Sequence, residues 1–313
     1  MRYYKLGPSN IEVSVVSLGT WVLGGDNWGK TDDRQSIATI ETAIDSGINL
    51  IDTAPAYGRG HAEEIVGKAI QGKRDHVYIA TKCGLKRKGR GFEFDLKPSE
   101  IRKELENSLL RMKIEHIDIY QCHWPDPKTP IESTLEEMLK MQAEGKINFI
   151  GVSNFDIPLL KRTVKAASIV SIQPQYSLLE RTVEKDILPF CRKEGIGIMT
   201  YGSLGSGLLT GKYKKLPTFK KSDARSFFYQ FYKSPCWERA DALIAGIKKI
   251  AKERKKPVAQ VAINWVAQQQ GITTAIVGAR TPEQAEMNAL SGEWELNPED
   301  LAKIDSFYQE SFF

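Results

Sequence analysis

Short β-rich runs alternate with amphipathic helical stretches along almost the whole length of this 313-residue chain. Most of the runs are almost continuously apolar, which is typical of parallel strands that are covered on both faces. The stretches between them repeat apolar residues at helical spacing, as in Ile37, Ile40 and Ile44. The predicted strands are VSVVSL from Val13, NLIDT from Asn49, VYIATK from Val77, IDIYQCH from Ile117, FIGVS from Phe149, IVSIQPQ from Ile169, GIMTY from Gly197 and TAIVGA from Thr274. Eight such units predict one (β/α)8 (TIM) barrel domain over residues 1–313.

The alternative is a doubly wound Rossmann sheet, in which a GxGxxG turn follows the first strand. Here the first strand runs into GTWVLGG from Gly19, which does not match that spacing, so the barrel is favoured. The residues left over predict three additions to the barrel. These are an N-terminal β-hairpin (Tyr3–Val15), a long loop after strand seven, and a C-terminal helix with Leu301, Ile304 and Tyr308 on one face.

Composition excludes several other classes of protein. With 41% hydrophobic and 27% charged residues, the chain is neither disordered nor collagen-like. It has no run of about 18 apolar residues and no apolar signal-peptide core, so we expect a cytoplasmic protein without a membrane partner. Its cysteines and histidines lack CxxC, HxH and HExxH spacing, which predicts neither a disulfide framework nor a metal site. The net charge of +5 is compatible with an anionic small molecule and does not require a nucleic acid.

Polar residues end successive predicted strands, where a barrel of this kind carries its chemistry. Asp52, Lys82 and His123 end strands two, three and four, and Tyr57 follows Asp52 by five residues. Asp52 would keep the lysine charged, and the lysine would lower the pKa of Tyr57 from about 10 towards the range of a general acid or base. His123 would then orient a substrate oxygen.

Taken singly, these four residues have plainer explanations. An aspartate at a strand end is more often a helix cap, and a strand lysine usually extends to solvent. A loop tyrosine usually packs against its neighbours, and a buried histidine is usually a hydrogen-bonded core residue. Their occurrence together at one rim of the barrel favours a catalytic group.

Six segments, three of which contain these residues, occur in a characteristic order and spacing: DTAPAYG from Asp52, ATKCG from Ala80, HWPD from His123, GVSNF from Gly151, QPQYSLLER from Gln173 and IVGARTPEQAEMN from Ile276. Together they resemble the aldo-keto reductase superfamily over essentially the whole chain. HWPD, and GSLGSGLLTGKY from Gly202, resemble most the bacterial general-stress-type reductases and the potassium-channel β-subunit branch.

This resemblance implies a site for hydride transfer from NADPH to a carbonyl. By it, Tyr57 donates the proton to the carbonyl oxygen, Lys82 and Asp52 tune Tyr57, and His123 positions the substrate. Trp21 and Trp124 would wall the substrate pocket, which favours apolar or aromatic carbonyls.

The resemblance also implies contacts to the nicotinamide end of the cofactor. Ser153, Asn154 and Gln175 would hold the carboxamide, and Tyr201 would stack on the ring. The full set of expected cofactor contacts is Thr20, Trp21, Asp52, Ser153, Asn154, Gln175, Tyr201, Gly202, Ser203, Leu204, Gly205, Ser206, Gly207, Lys212, Arg225, Gly278, Arg280, Gln284 and Asn288.

Two segments after strand seven are candidates for holding the cofactor phosphates. The glycine-rich segment from Gly202 to Lys212 suits a pyrophosphate because glycine lets backbone N–H groups come close, and a flexible loop is the alternative. The next segment, KYKKLPTFKKSDAR from Lys212, is basic and runs into aromatic residues, a combination also found in single-stranded nucleic-acid binding. We favour a lid over the cofactor (residues 212–238), in which Lys212 and Arg225 reach its phosphates, and expect no nucleic-acid partner.

The last βα unit is the candidate for the adenosine end. Arg280 stands at the start of a predicted helix, where a planar guanidinium and the helix N-terminus both suit a phosphate. By the resemblance, this segment binds the 2′-phosphate and the adenine. Gln284 and Met287 replace the arginine and glutamate of many relatives, which leaves Arg280 as the main candidate for the 2′-phosphate.

Two functions stay open at this point. One is NADPH-dependent reduction of a small aldehyde or ketone. The other is a barrel that holds the nucleotide and reports redox state to a partner protein without turnover, as the channel-subunit likeness allows. The presence of Asp52, Tyr57, Lys82 and His123 favours the enzyme, while the substrate and the oligomeric state do not follow from the sequence.

Overall fold

The computed structural model describes residues 1–88 and 91–312. The strands of these residues are β1 (Tyr3–Lys5), β2 (Glu12–Ser14), β3 (Val16–Gly19), β4 (Leu50–Asp52), β5 (Tyr78–Cys83), β6 (Leu85–Lys88), β7 (Gly91–Phe94), β8 (Ile117–Cys122), β9 (Ile147–Ser153), β10 (Ser171–Gln173), β11 (Gly197–Thr200) and β12 (Ile272–Gly278). The α-helices are α1 (Asp33–Asp45), α2 (His61–Ala69), α3 (Pro98–Met112), α4 (Ile131–Ala143), α5 (Ile157–Ala166), α6 (Ile187–Glu194), α7 (Ala224–Phe227), α8 (Cys236–Arg254), α9 (Val258–Ala267), α10 (Pro282–Ala289) and α11 (Pro298–Phe312).

Eight parallel strands close into a barrel in the order β3-β4-β5-β8-β9-β10-β11-β12. The ring closes between β12 and β3, where Val277 pairs with Leu18. All eight predicted strands are present, so the predicted (β/α)8 barrel is confirmed. The first predicted run is divided, because Val13 belongs to β2 and the barrel strand begins at Val16.

The predicted N-terminal hairpin is also confirmed, with β1 and β2 paired antiparallel. Its apolar side chains Leu6, Ile11 and Val13 are buried against barrel-lining residues that include Leu50 and Met199. The hairpin therefore closes the end of the barrel at which the strands begin, and the opposite end remains for the site.

A second antiparallel hairpin, β6–β7, follows β5 and was not predicted from the sequence. Its two strands are four residues each and carry several charges, so they lack the apolar run that marks the barrel strands. Because it follows the carboxyl end of a barrel strand, this hairpin lies on the side of the barrel where the candidate catalytic residues stand.

The segment after β11 is longer and more structured than the predicted loop. It contains the short helix α7 and then α8 and α9 before the chain returns to the barrel at β12. The predicted C-terminal helix is α11, which packs on α8. A glycine is required at this contact, since a Cβ on Gly246 would lie 2.5 Å from the ring of Phe307.

None of the helices in residues 1–88 and 91–312 combines the length and apolar character needed to cross a membrane.

Candidate active site

Lys82 is at the centre of the site, on β5 with its side chain wholly buried. Its Nζ donates hydrogen bonds to Asp52 Oδ1 at 2.6 Å, to the carbonyl oxygen of Thr53 at 2.9 Å and to Tyr57 Oη at 3.1 Å. An ammonium group has three protons, so these three contacts use all of them. Tyr57 Oη therefore accepts from Lys82, which leaves the phenol's own proton free to be donated to another group.

Asp52, the last residue of β4, is held by two buried glutamines. Its Oδ2 accepts from Gln173 Nε2 at 2.7 Å and, at 3.5 Å, from Gln121 Nε2. Its other oxygen is bonded to Lys82. The buried ammonium thus has a carboxylate partner whose orientation is fixed by side chains from β8 and β10.

Burial dominates the protonation of these groups. It raises the pKa of Tyr57 well above its ordinary value, and the nearby Asp52 carboxylate raises it further. Burial also lowers the pKa of Lys82, although the Asp52 carboxylate opposes this by favouring the ammonium form. The expected net lowering of the Tyr57 pKa is therefore wrong, because burial and the Asp52 carboxylate both raise it. The phenol is protonated at neutral pH.

His123, directly after β8, faces Tyr57 with a ring-centroid distance of 5.9 Å. Burial lowers the pKa of His123 well below its ordinary value, and the Lys82 charge lowers it further. The imidazole is therefore neutral, with one nitrogen that donates and one that accepts. Trp21 stacks on the tyrosine ring, at 6.0 Å between ring centroids. The arrangement can orient a polar group next to the Tyr57 hydroxyl.

A cavity of about 810 Å³ opens above these residues at the carboxyl ends of the barrel strands. Its wall includes most of the residues that the sequence predicted: Trp21, Asp52, Tyr57, His123, Trp124, Ser153, Asn154, Tyr201, Gly202, Ser203, Leu204, Ser206, Gly207, Lys212, Arg225, Gly278, Arg280, Gln284 and Asn288. Residues that are far apart in the sequence, from Trp21 to Asn288, thus line one cavity. The described residues contain no cluster of three or more His, Cys, Asp or Glu side chains that could hold a metal ion.

Three predicted cofactor residues lie outside the cavity wall. Thr20 is buried behind it, where its Oγ1 donates to the carbonyl oxygen of Asp52 at 3.0 Å. Gly205 is buried within the glycine-rich segment. Gln175 lies beyond the end of β10 and pairs with Tyr201, so the glutamine that lines the cavity is Gln173.

The glycine-rich segment forms a tight turn that depends on residues with positive φ angles. Gly205, Ser206 and Gly207 are consecutive residues with positive φ angles of 52°, 57° and 91°. The N–H groups of Gly205 and Gly207 donate to the carbonyl oxygens of Gly202 at 2.7 Å and Leu204 at 2.9 Å, so the turn is closed by its own backbone. The carbonyl oxygen of Ser206 accepts a hydrogen bond from Tyr232 Oη at 3.0 Å, so the following segment holds this shape in place.

The predicted lid, residues 212–238, lies against the loop after β3. The backbone N–H of Ala224 donates to the carbonyl oxygen of Asn27 at 2.9 Å. Arg225 lies 5.6 Å above the ring of Trp28, and it forms an ion pair with Asp223 at 2.6 Å. Arg225 therefore lines the cavity, and its charge already has a partner in Asp223.

Arg280 holds the same loop from the other side. Its Nη1 donates to the carbonyl oxygen of Trp28 at 3.0 Å, and its Nη2 donates to that of Lys30 at 2.7 Å. Its backbone N–H donates to Gln284 Oε1 at 2.9 Å. A guanidinium has five N–H donors, so Arg280 keeps further donors for an anion at the N-terminus of α10.

The unpredicted hairpin β6–β7 adds an aromatic wall to the cavity. Phe92 and Phe94 line it together with Phe227 and Phe228 of the lid, and all four rings are substantially exposed. The spacing of two residues between Phe92 and Phe94 is the signal in the sequence, because such residues share one face of a strand. An apolar group of a ligand would remove this surface from water.

A model of the aldo/keto reductase family matches residues 15–309. The aldo-keto reductase YhdN of Bacillus subtilis (strain 168) is 43% identical, over 99% of this chain and 95% of its own length. The NADH-specific methylglyoxal reductase of Escherichia coli (strain K12) is 35% identical, over 92% of each protein.

Solved structures show the same relationship. The glycerol dehydrogenase of Gluconobacter oxydans superposes with a TM-score of 0.91 and 40% identity, over 99% of this chain and 96% of its own. An aldo/keto reductase of Klebsiella pneumoniae, solved with NADP and acetate, superposes with a TM-score of 0.76 and 29% identity, over 96% and 94% of the two chains.

Proposed function

The chain belongs to the aldo/keto reductase family, and we propose that it reduces aldehydes or ketones to alcohols with NADPH. The observation that carries this proposal is the triple contact of the Lys82 ammonium with Asp52, Thr53 and Tyr57. Because Tyr57 Oη accepts from Lys82, the proton of the phenol is available to a carbonyl oxygen in the cavity.

The chain's own residues handle the proton. When bound, the nicotinamide supplies a hydride to the carbonyl carbon. As negative charge develops on the carbonyl oxygen, the Tyr57 hydroxyl donates its proton to that oxygen. The Lys82 ammonium, 3.1 Å from Tyr57 Oη, stabilises the phenolate that remains. The neutral His123 holds the carbonyl oxygen beside Tyr57.

The residues of the cavity fit a nicotinamide dinucleotide. Asn288 Oδ1 is buried and has no hydrogen-bond partner among the described residues, which is typical of a group that a ligand satisfies. Ser206, Gly207 and Lys212 line the cavity and would lie along the pyrophosphate, to which Lys212 supplies a positive charge. Ser153, Asn154 and Gln173 would hold the carboxamide, and Arg280 the 2′-phosphate. The Klebsiella pneumoniae relative was solved with NADP, which supports a cofactor of this kind.

The choice of NADPH over NADH is tested at Arg280. A guanidinium contact to the 2′-phosphate contributes roughly 1.5–3 kcal/mol, so NADPH is expected to bind about ten- to a hundredfold more tightly than NADH. Arg280→Ala should remove most of this difference. The measurement is a titration of each cofactor against both proteins by tryptophan fluorescence. The test is needed because the Escherichia coli relative that is 35% identical to this chain is NADH-specific.

Arg280 also holds the loop at Trp28 and Lys30, so Arg280→Ala will weaken the binding of both cofactors by a common factor. The quantity to compare is therefore the ratio of the two dissociation constants. Gln284→Ala is the control, since its amide brings no charge to the phosphate. An unchanged NADPH to NADH ratio in Arg280→Ala would assign the arginine a purely structural role.

Limited proteolysis tests the lid. Lys214, Lys215, Lys220 and Lys221 are exposed and lie between the lid's contacts to the rest of the chain, in a stretch without helix or strand. Trypsin is therefore expected to cut there, and NADPH is expected to slow the cutting because the phosphates engage both ends of this stretch. Equal rates of cutting with and without NADPH would show that the lid does not contact the cofactor.

The proposed reaction is tested with a panel of carbonyls that includes methylglyoxal, glyceraldehyde and benzaldehyde, by following the loss of cofactor absorbance with NADPH and with NADH. We expect turnover of at least one aldehyde. Binding of NADPH without turnover of any carbonyl would instead support a nucleotide-binding subunit that acts through a partner.

A further inference from the structure

The contact between Lys82 and Tyr57 joins two separate parts of the chain. Lys82 lies on β5, whereas Tyr57 lies on the loop between β4 and α2. Neither element fixes the 3.1 Å distance between Nζ and Oη by itself. Something must hold the loop against the strand, and the residues that do so are outside the set to which the reaction assigns a role.

The backbone after Tyr57 has an uncommon conformation. Gly58, Arg59 and Gly60 have consecutive positive φ angles of 61°, 58° and 94°. A residue with a side chain rarely adopts this region, and such conformations persist only where the surroundings impose them. On one side the turn rests on the backbone of Gly24, which leaves no room for a Cβ at Gly58.

Arg111 of α3 supports the other side of this turn. A Cβ on Gly60 would lie 2.6 Å from Arg111 Cδ and 2.8 Å from Arg111 Nε, so the arginine side chain packs directly against this glycine. Arg111 Nη2 also donates to Ser108 Oγ at 3.2 Å, which steadies the side chain on its own helix.

Glu63 joins this arginine to the strand that carries Lys82. It is wholly buried, and its Oε2 accepts from Arg111 Nε at 2.6 Å. Its Oε1 accepts from the Oγ1 of Thr81 at 2.6 Å, and Thr81 directly precedes Lys82 on β5. One carboxylate therefore connects the support of the Tyr57 turn with the strand of its lysine partner.

Stability alone does not explain a buried carboxylate here. Removing a carboxylate and an arginine from water costs free energy that offsets most of their attraction, so an apolar pair of similar size would serve stability equally well. The ion pair adds a fixed geometry, because one oxygen of Glu63 is bonded to Thr81 on β5 and the other to Arg111 on α3.

We propose that Glu63, with Arg111 and Thr81, is a positioning residue that sets the distance between the Tyr57 hydroxyl and the Lys82 ammonium. The inference rests on the proposed function, since it concerns how efficiently Tyr57 delivers its proton. Glu63 itself does not touch the substrate or the cofactor in this account.

Thr81→Val is the test, because it removes one hydrogen bond of Glu63 and conserves the side-chain shape. With an aldehyde that the wild type reduces, kcat should fall about tenfold, since small misplacements of reacting groups reduce rates strongly. The dissociation constant for NADPH should stay the same, because none of the three residues lines the cavity. Thr81→Ser restores the hydroxyl and should restore kcat.

Thr163→Val is the matched control. Thr163 is also buried, and its Oγ1 donates to a carbonyl oxygen at 2.9 Å within α5, so this variant loses a comparable hydrogen bond without a link to Lys82. Arg111→Lys is a second variant in case Thr81→Val does not fold. It keeps a positive charge beside Glu63 but removes the guanidinium from beneath Gly60, and kcat should fall in the same way.

Three results would overturn the inference. In the first, Thr81→Val or Arg111→Lys has the same kcat as the control Thr163→Val. In the second, Thr81→Ser does not recover the wild-type kcat, and in the third, kcat and the affinity for NADPH fall together. If the wild type reduces no carbonyl, the proposed function fails and the inference falls with it. If the wild type reduces an aldehyde and Thr81→Val has an unchanged kcat, the positioning role of Glu63 is excluded while the proposed function stands.

Discussion

Tyr57→Phe is expected to lower kcat for carbonyl reduction by about 10²–10⁴-fold, the range over which a positioned general acid contributes. The variant keeps the ring that stacks on Trp21 and loses only the hydroxyl. That hydroxyl bonds to Lys82 and to no cofactor-binding residue, so the affinity for NADPH should be nearly unchanged. Steady-state kinetics and a fluorescence titration of the cofactor measure the two quantities separately.

Tyr120→Phe is the matched control for this variant. Tyr120 is wholly buried on β8, and its hydroxyl donates to the carbonyl oxygen of Ile101 at 2.8 Å, away from the cavity. It should lose some stability and keep its kcat. Turnover of Tyr57→Phe at the rate of Tyr120→Phe would remove Tyr57 from the mechanism.

Lys82→Met is expected to reduce kcat to a similar degree, because the phenolate left by proton transfer then has no neighbouring cation. It should also lower the free energy of unfolding by about 3–5 kcal/mol, since Asp52 remains buried without its partner. The double variant Asp52→Asn/Lys82→Met should regain much of the stability and none of the activity. Denaturant unfolding and kinetics together separate the two effects.

The dependence of the rate on pH gives a second test of Lys82. Burial lowers the pKa of Lys82 and raises the pKa of Tyr57, so the lysine loses its proton first as the pH rises. Carbonyl reduction by the wild type should therefore decline on the alkaline side while the phenol is still protonated. The residual activity of Lys82→Met should lack this decline, and an identical profile in the two proteins would show that Lys82 does not assist the proton transfer.

The barrel and most of the site could be predicted from the sequence because they depend on short local patterns. Apolar runs mark the eight barrel strands, and Asp52, Lys82 and His123 are placed at one rim simply by ending neighbouring strands. Helix α3 begins at Pro98, and proline is a residue type typical of the first turn of a helix.

The features that could not be predicted from the sequence depend on contacts between residues that are far apart in the chain. Gln173 and Gln175 are both polar residues at the end of strand six, and only the register of β10 shows which of them reaches Asp52. The direction of the pKa shift of Tyr57 follows from the depth of burial, which no local pattern gives. Glu63 has the appearance of an ordinary acidic residue in the first turn of a helix until Arg111 and Thr81 are placed around it.

Isotope transfer tests the central claim most directly. The protein is incubated with an aldehyde that it reduces and with NADPH that carries deuterium at one of the two positions on carbon 4 of the nicotinamide, and the alcohol is analysed by mass spectrometry. The account predicts one deuterium on the former carbonyl carbon from one of the two labelled forms and none from the other, with Tyr57→Phe giving almost no alcohol. An alcohol without deuterium from either form would contradict direct hydride transfer in this cavity.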